Sequence, residues 1–211
     1  MDIAIALYDR LTLLDAIGPY SVLAHVPGAR VRFVAADADP IGPDVGTPRL
    51  LPDATFDDVA DPDVVVVPGG PGTRRIATMA PLVDWLRAVH PGTTHTTSVC
   101  TGAFALGAAG ILDGLTATTH WASLDRLAEW GAIPVSERVV DHGKVITAAG
   151  VSAGIDMGLT LAARLAGDDV ARAIQLAIEY DPAPPFDAGS PAKAGPELVS
   201  LLVDGGLVGG S

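Results

Sequence analysis

Cys100 is the single cysteine among 211 residues, and its neighbours place it where a reactive thiol is expected. The β-branched run 94–99 before it predicts a short buried strand, and the small residues of 101–109 after it predict a helix. The thiol then lies at a sharp strand-to-helix turn, which is the geometry of a nucleophile elbow. Backbone N–H groups and the helix dipole favour negative charge at that turn, so we expect a lowered thiol pKa.

The other interpretation of Cys100 is a buried structural thiol, because free cysteine is among the most buried residue types. The run Ser98-Val99-Cys100-Thr101-Gly102 approximates the pattern G-x-nucleophile-x-G, with Ser98 in place of the first glycine. The strand and helix predicted on either side make this pattern more specific. They favour the interpretation of Cys100 as a nucleophile.

Asp15 is a second candidate, and two interpretations stand side by side. Aspartate before a helix is a preferred N-cap residue. Alternatively, the Asp15 carboxyl lies beside Cys100 in a cleft. Partial desolvation and a nearby thiolate would both favour the neutral carboxyl there, and a protonated Asp15 could act as a general acid.

Gly69 and Gly70 follow the apolar run Val64–Val67 and could simply form a turn. They could also present a backbone N–H to the site, with no side chain to block it. Together with the N–H of Thr101, such a donor would stabilise negative charge on the sulfur or on an intermediate oxygen. A phosphate loop is a weak alternative, because no lysine follows the glycines.

His120 follows the predicted strand 116–119 and could serve as a base. The favoured interpretation is a hydrogen-bonded histidine that orders its loop and, with Trp121, lines the pocket. The sequence contains neither H-x-x-x-H nor C-x-x-C spacing, so we predict no metal.

Composition excludes several classes of function. Apolar residues make up 49% of the chain and charged residues 18%, which suits one domain with a proper core. The net charge of −12 argues against binding nucleic acid through a basic face. No apolar run is long enough to span a bilayer, and the N-terminus does not resemble a signal peptide. We therefore expect a cytoplasmic protein.

Short apolar β-type runs alternate with helical patterns along the chain. Strands are predicted at 3–7, 31–35, 64–67, 94–99 and 116–119, and a strand pair at 134–140 and 144–148. Helices are predicted at 15–26, 81–90, 101–112, 123–130, 152–166 and 169–180. Pro19 would be tolerated in the first turn of its helix. The proline-rich stretch 181–196 is predicted to be extended.

This β-α-β-α order predicts an α/β fold with a mostly parallel sheet and helices on both faces. Ligands in such folds bind at the carboxyl ends of the strands. Gly69-Gly70, Cys100 and His120 each follow a strand, and Asp15 comes shortly after the first one. We therefore expect them to converge on one edge of the sheet.

These residues carry a resemblance to a known family. At Ser98–Gly102, Pro68-Gly69-Gly70 and Asp15 the chain resembles the DJ-1/PfpI superfamily over roughly residues 1–187. Within that superfamily it is most similar to the isocyanide (isonitrile) hydratases, in longer phrases at 15–19, 97–109, 117–122, 131–135 and 182–191. The resemblance implies a flavodoxin-like three-layer sandwich, a single domain over 1–191, a short C-terminal tail over 192–211, and a homodimer.

The family's roles map onto this sequence by position. The nucleophile matches Cys100, the acidic partner matches Asp15, and the residue after the nucleophile matches Thr101. The glycine loop would supply its second backbone donor at Gly70, and the helix start near Val151 would pack against the nucleophile. Peptidase-type members have histidine directly after the nucleophile, so Thr101 weakens a protease interpretation.

The resemblance implies a cofactor-independent, cysteine-dependent hydratase, a lyase that converts a small apolar isocyanide and water to an N-formamide through a covalent thioimidate. Two alternatives remain open. One is a non-catalytic ligand-sensing domain of the kind found in AraC-type regulators. The other is a glyoxalase-like or deglycase-like thiol enzyme, which would use the same elbow on dicarbonyls.

Overall fold

A seven-stranded sheet forms the centre of the computed structural model, which describes residues 1–206 and 208. Its strand order is β3-β2-β1-β4-β5-β9-β8, and all neighbours are parallel except β8 and β9. The strands, including the separate pair β6-β7, are β1 (Asp2–Ala6), β2 (Arg30–Ala35), β3 (Ala54–Thr55), β4 (Val64–Val67), β5 (His95–Val99), β6 (Thr116–Ala117), β7 (Ile133–Pro134), β8 (Val139–Asp141) and β9 (Val145–Ala148).

The central strands are buried on both faces. All four valines of β4 are inaccessible to solvent, and so are the side chains of β1 from Ile3 to Ala6. Such continuous apolar runs are typical of parallel strands that are covered by helices on each side. The predicted α/β fold class with a mostly parallel sheet is confirmed.

Helices pack against one another in groups that cover the sheet. α1 packs against α4, which packs in turn against α5, while α2 packs against α3. The helices are α1 (Leu13–Leu23), α2 (Ala80–Val89), α3 (Ala103–Ala108), α4 (Ala153–Ala166), α5 (Asp168–Ala177), α6 (Pro191–Ala194) and α7 (Pro196–Asp204). Segments of 3-10 helix span Pro71–Thr78, Cys100–Gly102 and Trp121–Trp130.

Small residues let α1 and α4 approach closely. A Cβ on Gly154 would lie 3.1 Å from Pro19 Cδ, and one on Gly158 would lie 3.1 Å from Val22 Cβ. Pro19 lies in the interior of α1, so its predicted place in the first turn is wrong. Pro19 has no N–H to donate to the carbonyl one turn earlier, and its packing against α4 contributes to holding this part of α1 in place.

The prediction for 116–119 needs correction. Only Thr116 and Ala117 form a strand there, and it pairs with β7 in a small sheet apart from the main one. We expected His120 at the end of a strand of the main sheet, and this prediction is wrong. The strand pair predicted at 134–140 and 144–148 is present as the antiparallel strands β8 and β9, but β8 begins only at Val139.

The C-terminal region contains more regular structure than the sequence suggests. The predicted extended stretch 181–196 is interrupted by α6, and α7 lies inside the predicted tail. Both helices begin at a proline, which suits the first turn because its N–H groups lack intrahelical partners. None of the helices in the described residues has the length and apolarity needed to cross a membrane.

Candidate active site

Cys100 stands at the junction of β5 and the 3-10 turn that leads into α3. Its φ is +55°, a left-handed conformation that is uncommon for a residue with a side chain. Two hydrogen bonds hold this backbone: the Cys100 N–H donates to Ala149 O at 3.0 Å, and Thr119 Oγ1 donates to Cys100 O at 2.7 Å. The neighbouring strand and loop thus fix the elbow in a strained shape, as observed at functional sites.

The glycine after β4 allows three parts of the site to meet. A Cβ on Gly69 would lie 2.5 Å from Thr101 N, 2.8 Å from Asp15 Oδ2 and 2.8 Å from Cys100 Cβ. Any side chain at Gly69 would push these groups apart. The close approach also shows that the Asp15 carboxyl and the nucleophile lie next to each other, at the carboxyl ends of β4 and β5.

Asp15 is not an N-cap residue. α1 begins at Leu13 with Thr12 as its N-cap, and Asp15 lies within the first turn. Its Oδ2 accepts a hydrogen bond from the Gly69 N–H at 2.9 Å, and the residue is fully buried. Asp15 Oδ1 has no partner of ordinary hydrogen-bond geometry among the described residues. A buried carboxyl oxygen without a donor favours the protonated acid.

Burial raises the pKa of Asp15 from 3.8 to about 7. The Gly69 N–H and hydrogen bonding with the Cys100 side chain oppose this shift, while the charge of Asp44 adds to it. Asp15 thus carries its proton over most of the range below neutral pH. This agrees with the general-acid interpretation.

The thiol of Cys100 is buried as well, and it lines the wall of a cavity. Burial raises the pKa of Cys100 above its ordinary value, and the charge of ionised Asp15 raises it further. Hydrogen bonds from the N–H groups of Thr101 and Val151 lower it, yet burial dominates. The prediction that the pKa of the Cys100 thiol is lowered is therefore wrong. It takes account of the helix start but not of the burial of the thiol.

Cys100 and Asp15 therefore titrate together. When Asp15 is ionised, its charge disfavours a thiolate beside it, and when Asp15 is protonated this repulsion is absent. Near neutral pH the pair holds one negative charge at most. The thiolate forms together with a neutral Asp15, so the nucleophile and the acid appear in the same protonation state.

The glycine-loop donors do not serve as expected. The Gly69 N–H is occupied by Asp15, and the Gly70 N–H donates to Thr101 Oγ1 at 2.9 Å. Gly70 thus holds the Thr101 side chain instead of pointing its N–H at the sulfur. The second backbone donor to the sulfur is the N–H of Val151, which has a φ of +39°.

His120 lies at the cavity, and its contacts are those of a histidine that orders its loop. Its Nδ1 accepts from the Ala122 N–H at 3.3 Å and so caps the 3-10 segment that follows. Burial lowers the pKa of His120, which keeps the ring neutral. Trp121 does not line the cavity at Cys100, as predicted, but lines a neighbouring cavity. The two cavities share His120 and Val151.

The cavity at Cys100 has a volume of about 220 Å³. Phe104 and Val151 provide apolar walls, but Asp44, Arg74 and Arg126 line it too. Three charged side chains therefore surround a site for which the family resemblance implies a small apolar substrate. In the part of the chain that the structure describes, no three His, Cys, Asp or Glu side chains come together as a metal site would require.

Two residues that support the site, Thr119 and Tyr8, are not singled out by the sequence. Thr119 holds the carbonyl of Cys100, and the Tyr8 hydroxyl donates to Pro68 O at 2.6 Å, which fixes the loop that leads to Gly69. Thr119 stands directly before His120, and Tyr8 directly follows the first apolar run. Their positions next to a predicted strand end were the available signal.

Comparison with known proteins gives consistent results. The DJ-1/PfpI family matches residues 1–164. Isonitrile hydratase of Pseudomonas putida is 45% identical over 194 residues, covering 92% of this chain and 85% of that protein. A solved ThiJ/PfpI family protein from Pseudomonas syringae has a TM-score of 0.90 at 39% identity, covering 96% of this chain and 86% of that one. HTH-type transcriptional regulator GbdR of Pseudomonas aeruginosa is 30% identical, covering 85% of this chain but 50% of the regulator.

Proposed function

This chain belongs to the DJ-1/PfpI family, and we propose that it is a cysteine-dependent isonitrile hydratase that converts R–N≡C and water to the N-formamide R–NH–CHO. The observation that carries the proposal is the buried acid at the nucleophile: Asp15, with a pKa of about 7, lies directly beside Cys100. The 45% identity to an isonitrile hydratase over 92% of the chain supports it.

The first step forms a covalent thioimidate. The thiolate of Cys100 attacks the terminal carbon of the isonitrile, and the carbon takes the proton of Asp15 as negative charge develops on it. The product is R–N=CH–S–Cys100 with an ionised Asp15. The N–H groups of Thr101 and Val151 hold the sulfur before attack and orient it towards the cavity.

The second step is hydrolysis. Water adds its hydroxyl to the thioimidate carbon, and its proton passes through the Asp15 carboxylate to the nitrogen, giving R–NH–CH(OH)–S–Cys100. The hydroxyl then loses its proton to Asp15, the carbonyl forms, and the C–S bond breaks to release the formamide. Cys100 returns as thiolate and Asp15 as acid, so no cofactor is consumed.

Formation of the formamide from a simple aromatic isocyanide tests the proposal. Wild-type protein is expected to turn the isocyanide over, and Cys100→Ala to lose turnover while keeping its circular dichroism spectrum. Asp15→Asn keeps the shape of the side chain but removes the acid, so we expect a loss of at least about 100-fold in kcat. Ser98→Ala is the matched control: Ser98 lies on the same strand, its hydroxyl is buried without a partner among the described residues, and near wild-type turnover is expected.

The outcome also separates the two rival functions. Turnover of methylglyoxal instead of the isocyanide would identify a glyoxalase-like enzyme, which the same elbow could support. Binding without turnover of either compound would indicate a sensor domain, as in the regulators that share about half their length with this chain. A Cys100→Ala variant with a normal rate would refute the covalent mechanism.

We further infer that the protein works as a homodimer in the cytoplasm. Dimerisation is usual in this superfamily, and Leu14 and Tyr20 leave apolar surface exposed on α1. A thiol that must stay reduced for catalysis suits a reducing compartment. Analytical ultracentrifugation tests the dimer, and fractionation of the source cells tests the compartment.

A further inference from the structure

The charged side chains around the cavity at Cys100 point to the class of isonitrile that it accepts. We propose that the preferred substrate carries an anionic group, a carboxylate, and that Arg74 binds it. This inference rests on the proposed hydratase activity and names the substrate of the same site. It replaces the apolar substrate that the sequence suggests.

Two of the three charged groups at the cavity already have partners. Arg126 Nε donates to Glu129 Oε1 at 3.1 Å, and its guanidinium lies 4.9 Å from the centre of the Phe104 ring. The Asp44 carboxylate accepts from the Thr12 hydroxyl at 2.7 Å and from the Val45 N–H. These contacts fix Arg126 and Asp44 in the walls, where they are less available to a ligand.

Arg74 is different. Within residues 1–206 and 208, no carboxylate lies within 4 Å of its guanidinium, and no hydrogen bond holds it. It is exposed on the 3-10 segment Pro71–Thr78 and lines the cavity that contains Cys100. A guanidinium offers a carboxylate two parallel N–H donors, so an unpaired one at the rim of an active site is suited to binding an acid.

Two more arginines, which line a second cavity, add positive charge at this rim. This cavity has a volume of about 440 Å³, shares Arg74 with the first, and is also lined by Arg10 and Arg75. Neither of these arginines forms an ion pair among the described side chains, and Asp9 is the acidic residue that faces them. In a chain of net charge −12, three guanidinium groups at one rim attract anions to the entrance.

The backbone holds this rim in place. Arg10 has a φ of +62°, a strained conformation for a residue with a side chain. Its N–H donates to Gly42 O at 2.9 Å and its carbonyl accepts from the Gly72 N–H at 3.2 Å. The arginine rim is therefore tied by hydrogen bonds to the loop that carries Gly69, so a bound anion would be positioned relative to Cys100.

The test compares an isonitrile acid with its neutral ester. Isocyanoacetate and its methyl ester share the reacting group and differ in one negative charge and one methyl group, and both are small enough for a cavity of about 220 Å³. Formation of the two N-formyl products gives kcat/KM for each. We expect the acid to be preferred by about fivefold, the effect of one favourable exposed ion pair, and the preference to shrink in about 0.5 M salt.

Arg74→Gln should remove this preference by raising KM for the acid about fivefold, with kcat unchanged and the ester affected less than about twofold. Arg172→Gln is the matched control, because Arg172 is exposed on α5, outside both cavities, and pairs with Asp169 on the surface. Equal rates for acid and ester in wild type, or equal loss of both in Arg74→Gln, would overturn the inference. Failure to hydrate either compound would instead refute the proposed function on which it rests.

Discussion

Replacing Asp15 by asparagine should change how the stability of the fold depends on pH. Asp15 has a pKa of about 7 in the folded protein and an ordinary value of 3.8, so the folded state holds the proton about 3 pH units longer than the unfolded chain. Below pH 3.8 both states are protonated, and Asp15 contributes nothing. As pH rises from 3.8 to about 7 only the unfolded state releases the proton, so stability falls, by about 1.4 kcal/mol per unit or about 4 kcal/mol in total.

Asparagine has the same shape and no proton to release, so this loss is absent in Asp15→Asn. The amide oxygen of the substituted side chain can still accept from the Gly69 N–H, which Asp15 Oδ2 does at 2.9 Å in the wild type. Relative to wild type, the variant should therefore gain about 3 kcal/mol in free energy of unfolding between about pH 4.5 and 7.5. Urea unfolding under reducing conditions at several pH values, with m-values compared, measures the difference.

Asp58→Asn serves as a control of opposite sign. Hydrogen bonds from the Thr55 side chain and backbone lower the pKa of the exposed Asp58. Folding thus favours the ionised form of Asp58. As pH rises through that pKa, the free energy of unfolding of the wild type should increase relative to that of Asp58→Asn. If the difference in free energy of unfolding between Asp15→Asn and wild type stays constant with pH, the reasoning is refuted. Asp15 would then also be refuted as the proton donor of the proposed mechanism.

Three more results are expected. Gly69→Ala should abolish turnover and destabilise the fold, because its Cβ would lie 2.5 Å from Thr101 N; activity assays and thermal unfolding measure both. Thr119→Val should lower stability by about 1–2 kcal/mol and slow alkylation of Cys100, because the carbonyl of the elbow loses its donor, whereas Thr119→Ser should restore both. The kcat/KM for an isocyanide should rise as pH increases through about 7, where the Cys100–Asp15 pair loses its first proton, and Asp15→Asn should lose this step.

The elbow could be predicted from the sequence because its signals are local. The β-branched residues before Cys100 and the small residues after it are short-range patterns of strand and helix, and the alternation of such patterns predicts a parallel sheet. The place of Gly69-Gly70 follows from that topology, because the carboxyl ends of neighbouring parallel strands meet at one edge. The family resemblance adds Asp15 as the partner of Cys100, which the residues alone leave open beside the N-cap interpretation.

Other features depend on contacts between distant parts of the chain. The sequence pattern places β6 in the main sheet, but strand partners are chosen by tertiary packing, and β6 pairs with β7. A fall in the pKa of the thiol is expected because the helix start is visible in the sequence, whereas the burial that raises the pKa is not. The N–H of Gly70 is expected at the sulfur, yet the Thr101 hydroxyl accepts it.

The sequence by itself determined the nucleophile, its elbow and the α/β sheet that positions it, since each arises from neighbouring residues and from the order of strands and helices. The tertiary structure decided that Asp15 is a buried carboxyl beside Cys100 and not a cap, that Val151 supplies a donor to the sulfur, and that Arg74 stands at the rim without an ion-pair partner among the described residues. These properties are set by burial, by competition for hydrogen-bond partners and by distances between residues far apart in the chain. They come into being only when the chain has folded.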